Sequence, residues 1–294
     1  MRSQVRVLYR PFLPTCLPVQ ITAHLEHQVP LRTHALNQDD SITGFLVLDK
    51  SPGISSMKAL ARIRVLARDT AGGAKSGHAG TLDPLATGVL VIGIGRPATR
   101  LLSRIVGASK RYRTIVDLSA FSPSDDLERE PIPVEIDEVP TREVVEKALE
   151  DFKGFIQQAP PAFSAIKVGG KRAYHLARDD KLDSLPPRTV RVHDISLVSF
   201  EWPLATIDIH CGKGFYVRSL ARDLGTAIGT GGYCTSIRRT AVGPFNLDHA
   251  RTLTDMPVEL GQQHLIDITM AIEMLEKEAA QFSPDEAVDD HQHP

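Results

Sequence analysis

Twelve residues limit what this chain can become more than any other stretch: Gly77-His78-Ala79-Gly80-Thr81-Leu82-Asp83-Pro84-Leu85-Ala86-Thr87-Gly88. Gly77, Gly80 and Gly88 allow turns and close backbone approach that larger residues obstruct. Pro84 fixes its own φ and pushes Asp83 out of helical geometry, into an extended or turn conformation. The apolar run Val89-Leu90-Val91-Ile92 directly behind it reads as a buried strand that anchors the loop. A single carboxylate held on such a stiff loop can act as a nucleophile or a general base. The same residue can also be an ordinary turn aspartate bonded to its own backbone.

The segments around the loop alternate between two periods. Gly44-Phe45-Leu46-Val47-Leu48 is an apolar strand closed by the turn Asp49-Lys50-Ser51-Pro52-Gly53. Ser55 or Ser56 then caps a helix with Met57, Leu60, Ile63 and Ala67 inward. From Lys110 to Leu118 the pattern is β, with Tyr112, Thr114, Val116 and Leu118 on one face. Thr141 caps a second helix, with Val145, Ala148, Leu149 and Phe152 inward. Two β-like runs follow, Thr189 to Phe200 and Leu204 to Cys211. Gly212-Lys213-Gly214 leads into a helix burying Val217, Leu220, Ala221 and Leu224, with Gly225 near its end. Beyond Arg238 to Phe245 loop and short strand are expected, then a last amphipathic helix from about Gln262 to Ala280 with Leu265, Ile268, Ile272 and Leu275 inward. Strands interleaved with helices, without regular βαβ alternation, indicate an α+β fold around a mixed or antiparallel central sheet flanked by helices.

Composition narrows the partners. At 294 residues, 42% hydrophobic and 24% charged, the chain can bury a full core as one large domain or two modest ones. No apolar run nears the roughly 20 residues of a membrane span. Cys16, Cys211 and Cys234 form no CxxC pair and cannot all be bridged, which suits a reducing, cytoplasmic setting better than a secreted one. Ten acids against Lys277 alone give the stretch Asp255–Pro294 a charge of -9; against a total of -2, residues 1 to 254 therefore carry +7. A positive body with an acidic tail fits a polyanionic partner. Residues 1–43, with four prolines and few acids, are expected to form an irregular extension without a secretory core.

Six ordered blocks resemble the TruB family of pseudouridine synthases: Gly44 to Ser56, Gly77 to Gly88, Lys110-Arg111-Tyr112-Arg113, Pro161 to Lys167, Cys211 to Ser219, and Ile237-Arg238-Arg239. The resemblance runs from Gly44 to about Leu253. It implies the pseudouridine-synthase core and isomerisation of an RNA uridine without cofactor or metal. In bacterial members the uridine lies in the T-arm of tRNA, at position 55 of that RNA.

By the same resemblance Asp83 corresponds to the nucleophile, and Arg218 to the cation that keeps it ionised. Burial alone would drive a carboxylate to take up a proton; a guanidinium opposes this and can pair with it bidentately. Tyr112 corresponds to the tyrosine that stacks on the target base. Tyr216 and Ile237 correspond to residues lining the uracil pocket, and His78 to a wedge beside the displaced nucleotide. Lys213 and Arg239 join them as substrate contacts. No second metal ligand stands three or four residues from His78, so no metal site is expected there. Arg62, Arg64, Arg96, Arg100, Arg104, Lys110, Arg111, Lys167, Lys171, Arg172 and Arg238 are further candidates for the tRNA path.

These readings divide the chain into an extension (1–43), a catalytic domain (44–254) with a thumb-like segment at about 163–187, and an acidic helix and tail (255–294). The thumb would close over RNA on the hinge Gly169-Gly170. Two departures from the family stand out. The loop after Leu118 reads Ser119-Ala120-Phe121-Ser122-Pro123-Ser124-Asp125-Asp126, in which Asp126 keeps an acidic position, and nothing after Leu253 resembles a PUA domain. A monomer acting on the tRNA T-arm stem-loop, away from membranes, is the expectation. Its rivals are a guide-RNA-dependent rRNA synthase and a tRNA-binding folding factor with secondary catalysis. The sequence leaves open whether Asp83 attacks C1′ or the sugar eliminates to a glycal.

Overall fold

The structure, a computed structural model, describes residues 42–68, 70–164, 166–179 and 185–281, with backbone alone at Lys171 and Arg172. All lie in the compact unit Leu36–Pro294. The expected extension, apart from Ile42 and Thr43, and the tail from Ser283 lie outside the described residues.

In chain order the elements are β1 (Gly44–Lys50), α1 (Ser56–Leu66), β2 (Ser76–Ala79), β3 (Thr87–Ile94), α2 (Arg96–Gly107), β4 (Lys110–Asp117), β5 (Ala120–Phe121), β6 (Ile132–Pro133) and α3 (Arg142–Glu150). Then come β7 (Gly154–Gln158), β8 (Lys167–Val168), β9 (Lys171–Arg172), α4 (Ala173–Arg178), β10 (Arg188–Glu201), β11 (Leu204–Cys211), α5 (Val217–Ala227), β12 (Tyr233–Val242), β13 (Phe245–Asn246), β14 (Ala250–Arg251) and α6 (Ile268–Gln281). The main sheet runs β14-β1-β3-β12-β4-β11-β10-β7, with β2 beside β3 and β13 beside β12. β1–β14 and β3–β12 pair parallel and the other neighbours antiparallel, so the sheet is mixed.

Alternation along β4 and β11 builds the core directly. Thr114, Val116, Ala205, Ile207 and Ile209 are buried, whereas Arg111 and Arg113 are exposed. One face of the sheet is covered by α1, α3 and α5 through Leu60, Ile63, Val145, Leu149, Leu220 and Leu224. On the other face α2 and α6 cover Phe45, Val47, Val89 and Val91 with Ala98, Ile105, Ala271 and Leu275. Each such leucine or isoleucine stabilises the fold by ~2 kcal/mol through burial. Ser55 is the cap of α1, accepting the Lys58 N–H at 3.2 Å.

Four local features differ from the sequence reading or were absent from it. β12 is a ten-residue central strand over a stretch where no element was expected. Two bulges, between Cys234 and Ser236 and between Arg239 and Ala241, break its alternation and hid it. Helix α2 was not evident, because Pro97 and three arginines mask a pattern whose buried positions are only Ala98 and Ile105. Helix α6 begins at Ile268 because Ile266 forms a two-way bridge with Phe45 (2.9 and 2.7 Å), holding the preceding residues extended. Met57 points to solvent, 56% exposed, since Ser56 and Ala59 supply the inward contacts there.

Two glycines near the loop and α2 make contrasting predictions. Gly88 has φ +98°, and a Cβ there would lie 2.1 Å from the Arg239 carbonyl oxygen. Gly88→Ala should destabilise the protein by about 3 kcal/mol or more, read as a lowered midpoint in urea unfolding. Gly107, at the end of α2 with open space around it, should gain up to about 1 kcal/mol when changed to alanine.

Candidate active site

The Asp83 loop is fixed from several directions. Ser56 Oγ donates to the Leu82 carbonyl (2.9 Å) and accepts the Leu82 N–H (2.8 Å). The Gly53 N–H reaches the Pro84 carbonyl at 2.8 Å, and the Ala86 N–H closes a turn onto the Asp83 carbonyl at 3.1 Å. Arg239 donates from Nε to Val89 O (2.8 Å) and from Nη2 to Gly80 O (3.1 Å), gripping both flanks. Gly80, at φ +76°, makes the turn that admits this grip.

The loop borders a cavity of about 330 Å³ lined by Asp83, Tyr112, Lys213, Tyr216, Arg218, Ile237 and Arg239, with Lys110 and Arg188. Residues from five distant stretches therefore meet, and the sheet order explains how. β12 lies between β3 and β4 and sets Arg239 opposite Tyr112 and beside Gly88. His78 alone of the sequence-derived set is not part of this lining. It sits on β2 opposite Ile92, with Nδ1 buried and lacking a hydrogen-bond partner. Burial, with help from Arg239 and Arg64, pushes its pKa down and favours neutral imidazole.

Arg218, 4% exposed, stands at the first turn of α5 and places Nη2 2.9 Å from Asp83 Oδ2. The pairing is single rather than bidentate, because the guanidinium is shared. Nη2 also donates to Phe163 O (2.9 Å), while Nη1 donates to Ser124 O (3.0 Å) and lies 3.6 Å from Asp126 Oδ2. Burial would lower the Arg218 pKa, but Asp83, Asp126 and Asp125 together outweigh it and raise the pKa. Asp83 itself keeps 40% of its side chain open. Asp126 is 3% exposed; burial pushes its carboxyl up, with Arg218 and the Ser124 hydroxyl opposing.

Tyr112 is half-buried on β4, and burial raises its pKa against the pull of the neighbouring Arg239 guanidinium. Tyr216 is held by Gln158, whose side chain accepts its N–H (2.8 Å) and donates to its carbonyl (3.1 Å). The Arg188 guanidinium lies 5.2 Å from the centre of the Tyr216 ring. Ile237 is buried and Lys213 exposed.

Several cations expected along an RNA path have other duties. Lys110 donates to the Val106 (2.5 Å) and Ala108 (2.6 Å) carbonyls at the end of α2, and burial brings its pKa down to about 8. Arg238 pairs with Asp49 at 2.7 Å. Arg62, Arg64, Arg96, Arg100, Arg104, Arg111 and Lys167 are exposed. The side chains of Lys171 and Arg172 lie outside the described residues.

Sequence reasoning missed Lys50, Arg188, Gln158 and Asp125. Lys50 looked like a turn residue but is fully buried at the end of β1. Its ammonium donates to Ser51 O (3.0 Å), Ile54 O (2.9 Å) and Pro84 O (3.4 Å), and burial lowers its pKa to about 8 against Asp83. An ammonium two positions beyond the apolar run Phe45-Leu46-Val47-Leu48 was the available signal. Asp125, at φ +59°, pairs with Arg222 at 3.0 Å.

The profile of the TruB family pseudouridylate synthase N-terminal domain matches residues 68–217, and that of the tRNA pseudouridylate synthase B C-terminal domain matches 218–270. The chain belongs to the TruB family of pseudouridylate synthases. It is 42% identical over 252 residues to tRNA pseudouridine synthase B of Arthrobacter sp. (strain FB24), covering 82% of this chain and 81% of that protein. With the protein of the same name from Rhodococcus jostii (strain RHA1) it shares 43% over 229 residues, 76% and 73% of the two chains. Among solved structures, a chain of a Cbf5-Nop10-Gar1 complex superposes with a TM-score of 0.55 at 29% identity over 72% of this chain. The present chain spans about half (53%) of that one. Among the described residues no helix is long and apolar enough to cross a membrane, and no cluster of His, Cys, Asp or Glu is disposed to hold a metal ion.

In this TruB-family site the acid behind Arg218 generates a pH prediction. Burial, opposed by Arg222 and Arg218, raises Asp125 from 3.8 to about 6. The folded state thus holds a proton that the unfolded chain releases, so the stability Asp125 contributes is full below pH ~4 and is lost as pH rises through about 6. Urea unfolding from pH 4 to 7 should show this decline in wild type and a shallower one in Asp125→Asn; parallel curves would count against it.

Proposed function

We propose that the protein converts a tRNA uridine, that of the T-arm at position 55, to pseudouridine, with Asp83 as the nucleophile. The observation that carries this reading is the 2.9 Å pair of a part-open carboxylate with a buried guanidinium at the wall of a nucleoside-sized cavity. The name shared by relatives at 42–43% identity, tRNA pseudouridine synthase B, supports tRNA as the substrate.

The uridine leaves its stack and enters the cavity, at a cost of a few kcal/mol. Tyr112 stacks on the base, worth about 1–3 kcal/mol, while Ile237 and Tyr216 close the pocket around it. Arg218 pairs with the Asp83 carboxylate, which acts on the ribose as the N-glycosidic bond breaks. The uracil then turns and bonds through C5. The isomer contains every atom of the substrate, so the scheme calls for no co-reactant. Lys213 and Arg188 stand where the flanking phosphates pass. Arg96, Arg100 and Arg104, spaced one turn apart on the outer side of α2, extend the positive surface. The protein works as a cytoplasmic monomer in this reading.

Asp83→Asn should lower pseudouridine formation in a T-arm stem-loop by about a thousandfold or more, while RNA binding stays within about threefold. Chemical mapping of the product decides it, and undiminished conversion by the variant would refute the assignment. Arg100→Gln should weaken RNA binding and reduce the slope of log K against log salt by about one, leaving turnover at saturating RNA unchanged. Titrations at several salt concentrations check this.

A further inference from the structure

Arg239 presents a physical problem that a role in positioning the loop does not solve. Its side chain is among the largest fully buried in the protein, 2% exposed. Two of its nitrogens satisfy main-chain carbonyls, Val89 O and Gly80 O. Neutral donors could do the same without the several kcal/mol that burying a charge costs. Among the described residues no carboxylate lies within ion-pair distance of Arg239. The one acid in the cavity lining, Asp83, is paired with Arg218. The charge of Arg239 is nonetheless felt around the site, where it contributes to lowering the pKa values of Lys50, His78 and Lys110.

A buried cation without a counter-ion on the wall of a substrate cavity is complementary to negative charge that the substrate brings or develops. Depth separates the two. A phosphodiester stays at the rim, where Lys213 is exposed and Arg188 half-buried. Arg239 lies at the level of the Tyr112 hydroxyl, beside the place proposed for the base.

On the reading of the preceding subsection, we infer that Arg239 is a catalytic residue that stabilises the negative charge developing on the uracil ring as it leaves the sugar. When the N1–C1′ bond breaks, its electron pair stays with the ring and spreads onto O2 and O4. The ribose is meanwhile either bonded at C1′ by an Asp83 oxygen or converted to a glycal by loss of its C2′ proton. Both routes produce the same ring anion. C5 then supplies the pair that forms the new bond to C1′, Asp83 departs or the C2′ proton returns, the C5 proton is lost and N1 gains one. A fixed guanidinium beside the ring oxygens favours the transition state over the neutral bound uridine. Gly80 and Gly88 fit this placement. A Cβ on Gly80 would stand 3.4 Å from Arg239 Nη1, and one on Gly88 would overlap the Arg239 backbone.

The test varies how much the leaving ring needs help. T-arm stem-loops carrying uridine or 5-fluorouridine at the target are followed in single turnovers with wild type, Arg239→Gln and Arg239→Lys. Loss of the original N-glycosidic linkage is read by nuclease digestion and chromatography. Fluorine withdraws electrons and stabilises the ring anion on its own. Arg239→Gln should therefore slow cleavage of uridine about a hundredfold and of 5-fluorouridine at least several-fold less, with RNA affinity little changed and Arg239→Lys in between. Equal slowing on both RNAs would overturn the inference and leave Arg239 a loop-positioning residue. Weaker binding with unchanged cleavage would make it a simple substrate contact and overturn it too. If Arg239→Gln does not fold, Arg239→Lys carries the same comparison. Wild type inactive on both RNAs would overturn the T-arm reading itself, a result separable from any behaviour of the variants.

Discussion

A single guanidinium, that of Arg218, joins parts of the protein with no other reason to meet. It binds Asp83 from the loop after β2, Ser124 and Asp126 from the loop after β5, and Phe163 at the start of the thumb-like segment. A lysine could not do this: its three donors radiate from one atom, whereas the planar fork of arginine reaches acceptors on separate sides. The cost of burying the charge is offset only because two carboxylates and two carbonyls surround it. Removing any one partner leaves the others around an unbalanced charge, so the four stretches are coupled energetically as well as spatially. A second arginine on the same helix extends the coupling, since Arg222 holds Asp125 and the Ala159 carbonyl, to which Ser219 also donates.

The two buried arginines of the site differ in what they face. Arg218 is surrounded by acids and pairs with the Asp83 carboxylate at 2.9 Å. Arg239 faces two carbonyls, the Tyr112 side chain and other cations. Together with Lys110, Lys213 and Arg188 they give the cavity wall five cations and one acid. That imbalance matches locally the excess positive charge of residues 1 to 254. Positive charge at the rim recruits and orients a polyanion, whereas positive charge at depth acts on whatever charge the chemistry creates.

Much of this arrangement is legible in the amino-acid sequence, for reasons that vary by element. Strands β4 and β11 declare themselves because each has one wet and one dry face. Helix α5 does so because Val217, Leu220, Ala221 and Leu224 keep its period. Asp83 stood out through its glycines and proline, and Arg218 through resemblance alone, since nothing local marks a helix arginine as buried. β12 escaped because its two bulges shift the alternation and because Arg239, which reads as a surface residue, faces inward. Lys50 escaped for the same reason, its acceptors being carbonyls of the following turn and of Pro84. Helix α2 escaped because its exposed side is arginine-rich and its buried side narrow. In each case the missing information was long-range: which strand lies alongside, and which backbone oxygens wait at its end.

The attachments of the Asp83 loop differ from those of the segment carrying α4. The Asp83 loop is bolted by Ser56, Gly53, Lys50 and Arg239, every one of them on a strand, a helix or the turn between β1 and α1. Its carboxylate is thus held in place, as the proposed nucleophile must be if reorganisation is not to add to the barrier. The segment carrying α4 is linked to the loop after β5 by the exposed Arg178–Glu128 pair and by Arg129 over the Phe163 ring at 5.5 Å. Exposed pairs contribute little to stability. On the proposed function, an RNA entering there competes for the same arginines, Arg129 and Arg178. On the same reading, a rigidly held carboxylate with an exchangeable segment nearby lets a base enter without disturbing the group that acts on it.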